Sequence, residues 1–253
     1  MKKKLLEKNV YEAFLERMDF IFEEFENIFV SFSGGKDSGL LLDMVLDFQK
    51  KYYPNRKIGV FHQDFEAQYS YTTDYVERTF ERIKDDVEPY WVCLPMATRT
   101  ALSNYEMYWY PWDDKKQDLW IRERPQHDYV ITLENNPITT YTYKMHQENL
   151  AKQFGRWYKI AHEDTATICL LGIRAEESLQ RYNGFVNKKY GYKNNCYISQ
   201  QFKNVWVASP LYDWKTSDVW HAIAENGYDY NRLYDMFYYA GGQSGYHAGS
   251  LTF

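Results

Sequence analysis

Cysteine is scarce in this 253-residue chain, which holds only Cys93, Cys169 and Cys196. Three widely spaced cysteines without a C-x-x-C pair exclude a disulfide framework and a structural zinc site. Cys93 and Cys169 stand inside apolar runs and read as inert core thiols. Long hydrophobic runs are lacking too: no stretch approaches the roughly 18 apolar residues of a membrane-spanning helix. The start, Met1-Lys-Lys-Lys, imitates the basic region of a signal peptide. Glu7, Lys8, Glu12, Glu16 and Arg17 then interrupt any apolar core, so a soluble, cytoplasmic protein is expected, with no membrane partner. Positive charge is not in excess either. The net charge of −5 provides no global field toward nucleic acid, and leaves only a local basic patch open.

Aromatic side chains, by contrast, are plentiful at 19%, with 25 tyrosines and eight tryptophans. They suit either a tyrosine-rich core or a surface that stacks on bases or buries a partner. The length fits one large α/β domain or a domain with an appendage.

The most informative stretch is Ser31 to Ser38, S-F-S-G-G-K-D-S. Before it, Asn27, Ile28, Phe29, Val30 and Phe32 form a short apolar run typical of a buried parallel strand. After it, Leu40, Leu41, Leu42, Met44, Val45, Leu46 and Phe48 recur at helical spacing, up to a stop at Pro54. The glycines therefore sit at a strand-to-helix turn, where backbone N–H groups can approach a ligand closely. An anion is the natural guest, because the first amides of the helix lack partners and the helix dipole is positive there. Lys36 adds a charge, and Ser31, Ser33 and Ser38 add hydroxyls. Neither the Walker A pattern nor G-x-G-x-x-G is present.

Two further motifs follow. Gly172 to Arg181, G-I-R-A-E-E-S-L-Q-R, closes a predicted strand over Ala166 to Ile173 and offers Arg174 and Arg181 as forked donors for phosphate or sulfate oxygens at the mouth of a site. Ser209 to Trp220, S-P-L-Y-D-W-K-T-S-D-V-W, reads as a turn into a helix capped by Thr216 or Ser217 that packs through Val219, Trp220, Ile223 and Ala224.

Together these segments resemble the PP-loop family, the ATP pyrophosphatases and phosphoadenylylsulfate (PAPS) reductases. Ser31, Ser33, Gly34, Gly35, Lys36, Asp37 and Ser38 match S-x-G-G-x-D-S; Gly172, Arg174, Glu177, Ser178 and Arg181 match G-x-R-x-x-[DE]-S-x-x-R; Pro210, Asp213, Trp214, Asp218 and Trp220 match the third. Q-D-F-E at Gln63 to Glu66, with the other motifs, is similar to the IbrA-like branch. The resemblance implies one doubly wound parallel α/β domain over 1–253, of the adenine nucleotide alpha hydrolase-like kind. It implies ATP or PAPS as ligand with Mg²⁺, and an IbrB-like protein partner. The implied nucleotide contacts are Ser31, Ser33, Gly34, Gly35, Lys36, Asp37, Ser38, Asp64, Gly172, Arg174, Glu177 and Ser178. Lys36, Asp37, Arg174 and Arg181 are the implied catalytic residues, and Asp37 and Asp64 the metal ligands. At Asp64 the chain departs from the family's usual D-T-G segment, and a solvated acidic turn capping a helix over Tyr71 to Lys84 is the other reading.

The rest of the chain carries expectations of its own. A helix is predicted over 4–25 from Leu5, Leu6, Val10, Phe14, Met18 and Phe22, strands over Lys57 to His62 and Glu88 to Leu94, and a helix from Tyr143 to Phe154 with Gly155 as its stop. Residues 95–137 read as an aromatic-rich insertion covering a ligand or partner surface, with Arg99, Lys115, Lys116, Arg122 and Arg124 facing phosphate or solvent. Lys188, Lys189, Tyr190, Tyr192 and Lys193 form a basic-aromatic patch, and residues 230–253 a mobile tail.

The reactive cysteine segment E-C-G-[IL]-H of thiol-dependent PAPS reductases does not occur. The reading is therefore cleavage of the α-β phosphate bond of ATP to adenylylate an acceptor. Sulfotransfer or reduction with thiols from a partner, and nucleotide sensing without turnover, are the alternatives.

Overall fold

A computed structural model describes residues 7–100, 103–186 and 191–241. The order is α1 (Val10–Glu24), β1 (Asn27–Ser31), α2 (Lys36–Tyr52), β2 (Gly59–Gln63), α3 (Ser70–Ile83), β3 (Glu88–Val92), β4 (Thr98–Arg99), β5 (Tyr108–Trp109), β6 (Val130–Ile131), α4 (Gln147–Ala161), β7 (Thr167–Leu171), α5 (Leu179–Val186), β8 (Ile198–Phe202), β9 (Val205–Ala208), α6 (Thr216–Asn226) and α7 (Leu233–Tyr239). The sheet runs β6-β3-β2-β1-β7-β9-β8, parallel except for β8 against β9. From β1 the chain moves outward to β2, β3 and β6, then crosses to β7 on the other side. The switch in strand order therefore falls between β1 and β7, where an open α/β sheet leaves a crevice.

Alternation along β1 explains the two faces. Ile28 and Val30 point into one cluster with Phe14, Leu41, Val45 and Ile223, while Phe29 points into the other with Phe154, Tyr158 and Val207. Helices thus cover both sides, as near-continuous apolar strands require.

Several predicted boundaries move for local reasons. α1 begins at Val10 because Asn9 caps it: its side chain accepts from the Glu12 N–H at 2.8 Å, and Glu12 accepts from the Asn9 N–H at 3.1 Å. Leu5 and Leu6 lie outside the described residues. α4 runs straight through Gly155, so that glycine is no stop; a Cβ there would stand 3.3 Å from the Phe29 ring and 3.4 Å from Val205, so it is a close-packing position. α6 starts at Thr216 with Lys215 as its cap residue, and Ala222 rather than Ala224 is buried. The Thr216 N–H and hydroxyl instead donate to Glu176 at 2.6 and 3.2 Å.

Residues 95–137 are not wholly an appendage. β4 and β5 form a small ribbon, but β6 joins the main sheet beside β3. Lys188, Lys189 and Tyr190 lie outside the described residues; Tyr192 and Lys193 are held by Glu24 at 3.1 and 2.5 Å rather than left as an open patch. Of the tail, residues 242–253 lie outside the described residues, and the part before them docks as α7 through buried Asn231, Leu233 and Tyr234.

Candidate functional site

β1 ends at Ser31, and the chain turns through Ser33, Gly34 and Gly35 into α2. Gly34 takes φ +78°, and a Cβ there would lie 2.9 Å from methyls of both Thr72 and Val76, so the position demands glycine twice over. Ser38 knits the turn: its hydroxyl donates to the Gly35 carbonyl at 3.0 Å, accepts from the Ser33 N–H at 3.2 Å and lies 2.9 Å from the Ser33 hydroxyl. From the far end of the chain Asn231 donates its amide to the Gly34 carbonyl and to the Thr72 hydroxyl, both at 2.9 Å. The Tyr234 hydroxyl accepts from the Lys36 N–H at 3.2 Å.

Opposite stands the end of β7. A Cβ on Gly172 would lie 2.8 Å from the Asp37 carbonyl group and the Ser38 nitrogen, so this strand end presses directly on the first turn of α2. Between the two elements opens a cleft of about 390 Å³. Ser31, Ser33, Gly35, Asp37 and Ser38 line one side. Leu171, Gly172, Ile173, Glu177, Ser178 and Arg181 line the other, with Tyr234. Arg181 is held at the rim by Glu177 at 3.4 Å, and its N–H donates to the Ser178 hydroxyl at 3.1 Å.

Not every expected residue reaches this cleft. Lys36 and Arg174 are 1% and 0% exposed and stand behind Asp37. Lys36 Nζ meets Asp37 Oδ2 at 2.7 Å, Arg174 Nε meets Oδ1 at 2.6 Å, and Arg174 Nη1 donates to the Trp214 carbonyl at 3.3 Å. The paired arginines expected at the mouth are therefore one rim arginine, Arg181, and one buried clamp. Arg174 Nη2 is buried with no hydrogen-bond partner among the described residues.

Asp64 is also displaced from the expected role. It is fully buried beneath the insertion, accepting from Arg122 Nη2 at 2.6 Å on both oxygens, from Trp91 Nε1 at 2.7 Å, from Trp112 Nε1 at 3.3 Å and from the Glu66 N–H at 2.7 Å. Burial works to raise its pKa, but the charges of Arg122 and His62 and these hydrogen bonds outweigh it, and the net direction is down. It neither lines the cleft nor forms a solvated turn, and α3 begins at Ser70 without a side-chain cap. With its lone pairs so engaged it does not fit the metal-ligand role; Asp37 is the acidic side chain of the Ser31–Ser38 turn that lines the cleft. No group of three or more potential ligands gathers among the described residues.

The sequence reading missed Asn231 and Tyr234, whose partners lie almost 200 residues away. The Tyr-Asn-Arg-Leu-Tyr-Asp run that carries them was visible, but nothing local told that it docks on the Ser31–Ser38 loop. Cys93 and Cys169 are buried, and burial pushes both thiols up. Cys196 is half-buried and does not line the cleft.

A glycine loop between a parallel strand and a helix, at the strand-order switch and facing G-I-R-A-E-E-S, coincides with what similarity shows: the phosphoadenosine phosphosulfate reductase domain matches residues 27–243. The chain belongs to this family. Protein YbdN of Escherichia coli (strain K12) is 32% identical over 237 residues, covering 92% of this chain and 56% of YbdN, so the chain spans little more than half of that relative. Among solved structures, the FMN adenylyltransferase of Candida glabrata in complex with FAD and inorganic pyrophosphate superposes with a TM-score of 0.50 at 14% identity, over 89% of this chain and 58% of that one. The phosphoadenylyl-sulfate reductase of Candida auris, in its phosphate complex, gives a TM-score of 0.43 at 14% identity, over 93% and 94%. The fold is α/β with a mostly parallel central sheet, in which β8 runs antiparallel to β9. No helix among the described residues is long and apolar enough to cross a membrane.

Proposed function

We propose that the cleft between β1 and β7 binds an adenine nucleotide, ATP or PAPS, by its phosphates, and that the protein cleaves the α-β bond of ATP to adenylylate an acceptor. The observation that supports this most is the junction itself: the open N-terminus of α2 and the hydroxyls of Ser31, Ser33 and Ser38 face the rim guanidinium of Arg181 across about 390 Å³. The phosphates would lie on the loop amides, with Arg181 closing from the far side. Asp37 is fixed by Lys36 and Arg174, so its carboxylate is presented to the cleft in one orientation. Mg²⁺ arriving with the nucleotide would be held by Asp37 and phosphate oxygens, where it neutralises charge on the leaving pyrophosphate. The burial of Cys93 and Cys169 supports phosphate chemistry over reduction by this chain's own thiols. The acceptor, and the IbrB-like partner that the motifs suggest, belong to the same proposal.

The test is a thermal-shift panel with ATP, AMP, PAPS and 3′-phosphoadenosine 5′-phosphate, followed by pyrophosphate release from Mg²⁺ATP with partners that co-purify. The preferred nucleotide raises the melting temperature most. Arg181→Ala is expected to lose about 1 to 3 kcal/mol of binding. No shift with any of the four ligands would refute the reading.

A further inference from the structure

The insertion, with Glu66 from the turn after β2, lines a second cavity of about 420 Å³, which shares no lining residue with the cleft between β1 and β7. Its volume is within the usual range of small-ligand pockets, roughly 300 to 1,000 Å³. Four aromatic rings line it, those of Tyr108, Trp109, Tyr110 and Trp120, together with Glu66 and Glu106. Two of these rings already carry a cation on one face, Lys144 Nζ at 4.3 Å from the centre of Tyr110 and the Arg124 guanidinium at 4.9 Å from Trp120. The rings thus provide electron-rich faces of the kind that hold cations.

Glu66 decides the chemistry. It is 4% exposed, yet no ion pair among the described residues joins it to a cation. Arg122 spends its charge on Asp64 and meets Glu66 at its main-chain carbonyl, at 3.0 Å. The Glu66 carboxylate accepts the Trp112 N–H at 2.8 Å on one oxygen and the Ile121 N–H at 3.0 Å on the other. A carboxylate has about four acceptor positions, so these bonds leave two unfilled on a side chain that lines the cavity. Buried charges are ordinarily paired, and this one faces an aromatic-walled space instead. Glu106 adds a second carboxylate at the rim, against a single exposed lysine, Lys116.

We propose that this cavity binds an organic cation, an alkylated ammonium group seated among the rings of Tyr108, Trp109, Tyr110 and Trp120 with Glu66 as its counter-charge. The site is built by the insertion and Glu66 and does not depend on what the cleft between β1 and β7 binds.

Choline is the probe, and its uncharged isostere, with tert-butyl in place of trimethylammonium, is the control, both titrated by calorimetry into the full chain. Saturable choline binding is expected, with the isostere weaker by about tenfold or more. Trp109→Ala and Glu106→Gln, neither of which touches the hydrogen bonds that anchor the insertion, should each weaken choline by at least about threefold with an unchanged melting temperature. Glu66→Gln should weaken it most. No saturable choline binding, equal affinity for the isostere, or unchanged affinity in Trp109→Ala and Glu106→Gln would each overturn the proposal.

Discussion

Arg174 Nε and Asp37 Oδ1 stand 2.6 Å apart although 137 positions separate them in the chain. The contact joins the end of β7 to the first turn of α2, the two walls of the cleft. With Lys36 on the other oxygen, Asp37 is held from behind by two of the three cations that the motifs place near phosphate. Their charges act on the cleft through the carboxylate they orient.

Removing the clamp should therefore damage the fold as well as the site. Arg174→Ala leaves a carboxylate with half its counter-charge, and loss of one partner of a buried pair costs about 3 to 5 kcal/mol. Arg174→Lys keeps charge but loses the planar fork, and should fall between wild type and Arg174→Ala. Urea unfolding of the three proteins checks the order.

The docking of α7 predicts a remote route to the Ser31–Ser38 loop. Asn231→Ala strips the Gly34 carbonyl and the Thr72 hydroxyl of a buried donor, and should cost about 1 to 3 kcal/mol. Tyr234→Phe removes the acceptor of the Lys36 N–H, and should cost about 1 kcal/mol or more. Equal melting temperatures for wild type and Asn231→Ala would show that the tail is not part of the loop's support.

Gly172→Ala tests how closely the walls meet. The new methyl would lie 2.8 Å from main-chain atoms of Asp37 and Ser38, which cannot rotate away. A loss of about 1 to 3 kcal/mol is expected, as for other overpacked sites, together with weaker nucleotide binding. Gly184→Ala, where nothing lies within 4 Å, is the control and should be neutral or slightly stabilising.

Acid should loosen the insertion. The folded Asp64 carboxyl sits below its ordinary value, about 3.9 in an unfolded chain, so the unfolded state binds the proton more readily. Its stabilisation is complete above that value and is lost as pH falls through the folded pKa. Unfolding measured from neutral pH down to about 2 should show stability declining below about pH 4, and Asp64→Asn should flatten that decline while lowering stability at neutral pH.

Local order in the chain is what the sequence determined by itself. Two apolar runs around S-F-S-G-G-K-D-S place a strand, a turn and a helix, because side-chain period and glycine conformation are properties of neighbours. The motif at Gly172 to Arg181 likewise placed a second wall after another strand, and the family resemblance implied the parallel sheet. Burial of charge is another matter. Lys36, Arg174 and Asp64 look in sequence like groups offered to a ligand, and the tertiary structure encloses all three, since Trp214, Tyr234 and the insertion close over them from distant parts of the chain. Gly155 reads as a helix stop until the Phe29 ring packs against it. A charged side chain is free or sequestered according to what covers it, and that cover is set by packing between segments far apart, which no local pattern encodes.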